Sequence, residues 1–144
     1  MAKADLDQLH KRLRDAAENL LSDEEEVITV FPGKSKQALI LTDRRVLIVK
    51  AGAMAGATLR VKGSSFEFED IGAVNVYNGP RLTAIELVKK GEDPPKRPDL
   101  RAAYQWTNWL PCDKEIGSGA RVAELRAFID SGGRSRSARA ALEA

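Results

Sequence analysis

Apolar and polar positions trade places along this chain in short runs, with longer helical stripes at its two ends. Leu6, Leu9, Leu13, Ala16, Ala17 and Leu20 recur at three- and four-residue spacing and predict an amphipathic helix over 5–21. Asp5 and Asp7 near its start suit the positive end of the helix dipole. The apolar face of this helix needs cover, either from the rest of the fold or from a second copy of the chain. A first strand over 26–31 stops at Pro32-Gly33. Two apolar runs, Ala38–Leu41 and Val46–Val49, flank the polar break Thr42-Asp43-Arg44-Arg45 and predict a hairpin. Strands over 64–69, 73–77 and 83–88 follow, in which Phe66/Phe68, Val74/Val76 and Ile85/Leu87 alternate with polar positions. A seventh strand is expected over 103–109, ended by Leu110-Pro111. A helix capped by Ser118 carries the stripe Val122, Leu125, Phe128, Ile129 and stops at Gly132-Gly133.

The connections are read by composition. Residues 51–57 form a small-residue loop, and 89–100 hold three prolines and predict an exposed loop. Arg134, Arg136 and Arg139 lie in a Ser-rich end expected to be a mobile, solubilising tail. The organisation is therefore an N-terminal helix over 1–23, a β-rich domain over 24–131 and a basic tail over 132–144. The expected core is Val27 or Ile28, Leu39, Leu41, Leu47, Val49, Phe66, Phe68, Val74, Val76, Ile85, Leu87, Trp106, Leu125, Phe128 and Ile129.

At 144 residues the chain holds one domain with appendages. It has no apolar run near the ~20 residues of a membrane span, no secretory core at its start and no lipidation motif. A cytoplasmic protein is expected. One cysteine, Cys112, excludes an internal disulfide, and with a single histidine, His10, the chain lacks the ligands of a thiolate–imidazole zinc site.

The net charge of +2 conceals a segregation. Residues 1–30 carry four basic and eight acidic groups, residues 31–65 seven basic and one acidic. The basic block attracts either an anionic partner or the chain's own acidic N-terminus.

Three strings, Gln37 to Lys50 with its Thr42-Asp43-Arg44-Arg45 turn, Ala51 to Thr58, and Ser65 to Ile71 with its Asp70-Ile71 step, resemble the bacterial pleckstrin-homology-like (PH-like) domains. The resemblance covers roughly residues 24–131. It implies a β-sandwich or barrel of about seven strands capped by a C-terminal helix, here with an additional N-terminal amphipathic helix. It also implies a binding or scaffolding module with no catalytic residues and no cofactor.

Candidate chemistry is weighed on that frame. Gly33-Lys34-Ser35 lacks the upstream glycine of a phosphate-binding loop, because Ile28 holds that position. Lys34, Lys36, Arg60 and Lys62 form a candidate patch for anions or lipid headgroups. In lipid-binding PH domains basic residues of the first hairpin grip the headgroup, but the second strand here is apolar. Asp43 is expected to form the turn by accepting from the following amides. Asp23 to Glu26 read as a solvated acidic linker, without the spacing of a calcium loop. His10 lies on the polar side of its helix, and neither it nor Cys112 has a partner for nucleophile–base chemistry. Trp106 is expected inward, which puts Trp109 on the opposite face or the following loop, either exposed as an anchor for a protein contact or packed under the Pro-rich loop or the N-terminal helix. Leu9, Leu13 and Trp109 are thus the candidate protein interface. The expected partner is another protein or a second copy of the chain. Anionic membrane lipid is the rival, and three tail arginines are too few for nucleic-acid recognition.

Overall fold

The computed structural model describes residues 6, 9–51, 61–96 and 98–144. Helix α1 spans Lys11–Leu20 and is capped by His10, whose Nδ1 accepts from the Arg12 amide at 3.2 Å. Leu6, Leu13 and Ala17 are buried and Leu9 is half-buried. Leu20 stays 38 % exposed but lies over Gly63, where a β-carbon would collide with it. The helical stripe is therefore spent inside the chain. Leu9 and Leu13 cover the sheet rather than present a free interface.

Seven strands form two antiparallel sheets. The first runs in the order β1 (Val27–Pro32), β2 (Gln37–Thr42), β3 (Arg45–Lys50), β4 (Lys62–Glu67). The second runs β5 (Ile71–Asn78), β6 (Thr83–Lys89), β7 (Trp109–Cys112). Short helix α2 (Lys114–Gly117) leads into α3 (Ala120–Asp130). The cap of α3 is Gly119, not Ser118. The α3 stripe Val122, Leu125, Phe128 and Ile129 enters the core beside Leu39, Leu41, Phe66, Phe68, Val74, Ile85 and Leu87. Phe68 meets Phe128 edge-on at 5.5 Å. Each such buried side chain contributes about 1.5–3 kcal/mol over its exposed state.

Strands β2 and β3 are buried on both faces. Leu39 pairs with Ile48 and Leu41 with Val46, and cross-strand partners share a face. These four enter the main core. Ala38, Ile40, Leu47 and Val49 point the other way, into a second cluster with Leu6, Leu13 and Ala17. Leu47 and Val49 therefore face α1, not the inner core expected for them. Both faces are covered, so the strands show continuous apolar runs without alternation.

Three expectations fail at the C-terminal side. The seventh strand lies at Trp109–Cys112, and Leu100–Tyr104 is a 3₁₀ turn. Pro111 sits within β7 because β7 is an edge strand, where a missing N–H is tolerated. Trp106 is 38 % exposed, against the inward placement expected of it, and Trp109 is 2 % exposed, packed rather than an anchor. The basic tail is an ordered helix, α4 (Arg136–Glu143), capped by the Ser135 hydroxyl, which accepts from the Ala138 amide at 3.2 Å. Ala138 and Leu142 join the main core. The stop at Gly132 and Gly133 forms as expected: both have positive φ, 66° and 82°, and the Gly133 amide donates to the Phe128 carbonyl at 2.9 Å.

Since Leu142 is 2 % exposed, Leu142→Ala should lower unfolding stability by about 2–4 kcal/mol in urea titration. An unchanged midpoint would mean that α4 is not docked.

Candidate functional site

The acidic segment before β1 folds onto the hairpin turn between β2 and β3. Arg45 holds Glu25 with two bonds, Nε to Oε2 at 2.9 Å and Nη2 to Oε1 at 2.8 Å. The same guanidinium donates to the Leu20 carbonyl at 2.6 Å and to Ser65 Oγ at 3.2 Å. Thr42 Oγ1 donates to Glu25 Oε2 at 2.6 Å and accepts from the Arg44 and Arg45 amides. The Glu25 side chain is 1 % exposed. Burial alone would raise its carboxyl, but the bonds from Arg45 and Thr42 outweigh that and hold it below 4.5. Arg44 pairs with Glu24 at 3.6 Å, and Glu26 with Arg139 of α4 at 2.9 Å. Asp43 accepts from the Glu26 amide at 2.9 Å, so the turn-capping role expected of Asp43 falls to Thr42. Glu24 and Glu26 stay exposed, as expected of a solvated segment, and pair at the surface, whereas Glu25 is enclosed and clamps the segment to the hairpin.

These pairings take up part of the basic block. Arg44 and Arg45 are paired as above, Lys34 meets Asp113 at 3.5 Å, and Lys50 is buried at 1 %. Arg60 lies outside the described residues. Lys36 and Lys62 are exposed near the same end of the first sheet: the Ala51 amide donates to the Lys36 carbonyl, and Lys62 pairs in register with Lys50. Lys36 also takes a left-handed conformation, φ 57°, in the tight turn after Ser35.

Sequence reasoning missed Lys50. Its Nζ donates to Gln37 Oε1 at 2.6 Å and to the Ala103 carbonyl at 2.7 Å. Gln37 Nε2 in turn donates to the Tyr104 carbonyl at 3.0 Å. The two side chains tie the segment between β6 and β7 to the first sheet. Burial, and then the charge of Lys62, push the Lys50 amine down to about 7. A basic residue ending an apolar run gave no sign of this, because strand ends are ordinarily wet.

That tethered segment covers the outer face of the second sheet. Tyr77 stacks on Trp109 at 5.0 Å and 18°, and Trp106 leans on Trp109 at 5.1 Å and 60°. Ala84 and Ala103 complete the cluster. Glu86 pairs in register with Trp109 and is 3 % exposed. The result is one exposed indole on a rigid aromatic support.

Among the described residues no three His, Cys, Asp or Glu side chains gather as metal ligands. Burial, and then Asp113, push the Cys112 thiol up to about 11, which disfavours a thiolate. One cleft, of about 560 Å³, is open and lined by mixed charges including Arg44, Glu69, Lys90 and Arg134.

No family model and no curated protein matches this sequence. Among solved structures, the chain is similar to a DUF1696-family protein with a pleckstrin-homology domain from Shewanella loihica PV-4. That likeness has 14 % identity and a TM-score of 0.47 over 86 % of this chain and 99 % of that one. It is also similar to a pleckstrin-homology domain from Shewanella amazonensis SB2B, at 17 % identity and a TM-score of 0.49 over 88 % and 90 %. The chain's two open antiparallel sheets of four and three strands, with flanking N- and C-terminal helices, have the arrangement that the sequence resemblance implies.

Two predictions follow from the buried charges. Glu25→Gln should cost about 1–3 kcal/mol by breaking a charged hydrogen-bond network. The Glu25 contribution is fully present above pH 4.5 and is lost as pH falls through its lower folded value. Acid titration of stability in wild type and Glu25→Gln should therefore converge at low pH. Parallel curves would reject the clamp. For Lys50 the sign is opposite. Between about 7 and 10.5 the unfolded chain binds the extra proton, so stability rises with pH across that window. The slope from this group reaches about 1.4 kcal/mol per pH unit. Lys50→Met should remove it, and equal slopes in denaturant titrations at pH 6, 8 and 9.5 would refute a depressed Lys50.

Proposed function

We propose that this chain is a non-catalytic binding module of the cytoplasm that acts through protein–protein contact, with Trp106 as its anchor. The observation that carries this reading is the 38 % exposure of Trp106 on a support whose other rings are packed. Large aromatics held rigid at a surface are favoured interface anchors, since little side-chain entropy is lost on binding. The fold is consistent with it: two packed antiparallel sheets offer a stable frame for such an anchor. Charge accounting disfavours the lipid rival. Arg44, Arg45 and Lys34 are committed to Glu24, Glu25 and Asp113. Among the described residues of the basic block, Lys36 and Lys62 remain, and two lysines near a membrane supply about 2 kcal/mol; Arg60 lies outside the described residues.

The test is affinity recovery of a partner, its identification, and calorimetry with the purified partner. Trp106→Ala should weaken binding at least tenfold, as expected for an anchor worth ~1.4 kcal/mol or more, while Lys36→Glu with Lys62→Glu leaves it near wild type. Salt-sensitive flotation with anionic vesicles, abolished by the two lysine changes and untouched by Trp106→Ala, would instead establish the lipid reading.

A further inference from the structure

The aromatic face also holds a charge that the fold itself does not neutralise. Glu86 is 3 % exposed, and among the described residues its carboxyl group accepts one hydrogen bond, from the Tyr77 hydroxyl at 2.8 Å. Among the described residues no lysine or arginine forms an ion pair with it. Keeping an anion buried against a neutral hydroxyl is expensive. Its effect is visible on its neighbour: burial, and then the bond to Glu86, raise the Tyr77 hydroxyl above 10.0.

The exposed ring beside it has the same electrostatic preference. An indole face is electron-rich and attracts cations. Trp106 rests on Trp109, which stacks on Tyr77, the partner of Glu86. The chain satisfies such a preference internally at one other ring, where the Arg121 guanidinium lies 4.8 Å over Phe31. No comparable cation lies on Trp106 among the described residues, and the nearby Arg101 is paired with Asp99 at 3.3 Å.

The geometry points to a recognition site for a cationic side chain, a lysine or arginine of the protein partner, lying on the Trp106 indole with the Glu86 charge behind the same aromatic stack. This rests on the protein-contact reading above and adds the partner's chemistry. Both features select a cation over an apolar side chain of equal size, which an apolar anchor pocket would not do.

The two tryptophans of this chain give two indole N–H signals in nitrogen–proton correlation spectra, and Trp106→Ala assigns them. The probes are a lysine-containing tripeptide blocked at both ends and its norleucine counterpart, which keeps the stem and removes the charge. The lysine peptide should shift the Trp106 signal in a saturable, salt-weakened way, with the norleucine peptide at least about threefold weaker. Glu86→Gln keeps the Tyr77 hydrogen bond and removes the charge. It should bring the lysine peptide about threefold closer to norleucine, the size of a single cation–π or charge contact. Equal shifts from both peptides, or no shift from either, overturn the cation site. Neither result touches the wider reading, which fails only if Trp106→Ala leaves the purified partner's affinity intact.

Discussion

The Arg45 guanidinium meets three parts of the chain at once: the end of α1 through the Leu20 carbonyl, the acidic segment through Glu25, and β4 through Ser65. The arrangement explains why the N-terminal helix belongs to this fold. Helix α1 covers the outer face of β2 and β3, and without it Ile40, Leu47 and Val49 would be solvated. A two-pronged arginine–carboxylate pair supplies geometric definition that a point charge would not. Glu26 extends the same segment to Arg139 and so to α4. Three adjacent acids therefore connect both terminal helices to one hairpin, and two arginines of the basic block, Arg44 and Arg45, meet acids of the N-terminal segment.

This changes how the hairpin string should be understood. Thr42 caps the turn, Asp43 receives the start of β1, and Arg45 secures the helix. Each residue of the polar break has a structural task. Surface ion pairs are ordinarily worth little, and the exposed Arg44–Glu24 pair fits that description. Glu25 differs because its carboxylate is enclosed and accepts from three residues, Ser22, Thr42 and, twice, Arg45.

Six of the seven strands and the α3 stripe were legible in the sequence, because period-two and period-3.6 patterns survive wherever one face is wet; the seventh strand was not, since its segment is a 3₁₀ turn followed by a short edge strand. The same logic failed for Leu47 and Val49. Their strand is covered on both sides, so its apolar run carries no facing information, and only the register with β2 decides it. Glu24 to Glu26 were opaque for a related reason. That Val27 pairs with Thr42 brings these acids beside Arg44 and Arg45, and register is a long-range property. The tail was misread because its composition is polar, although Ala138 and Leu142 at i and i+4 form a narrow apolar stripe. The tryptophans were assigned by alternation through a segment that is a 3₁₀ turn, where alternation does not apply.

Backbone-directed tethers are what make the aromatic face specific. Lys50 and Gln37 grip the carbonyls of Ala103 and Tyr104, positions that any sequence would offer. They thereby fix the path of the segment while leaving its side chains free to vary. The Trp106 amide, bonded to the Ala102 carbonyl at 3.0 Å, then sets the direction of its ring. A buried lysine is a costly way to hold a loop, since an apolar side chain would pack there without desolvating an amine. An apolar side chain, however, would leave two carbonyl groups facing the interior unsatisfied and let the segment shift in register. The fold accepts the weaker interaction in exchange for a defined position. That exchange holds the exposed Trp106 ring in one place above the second sheet.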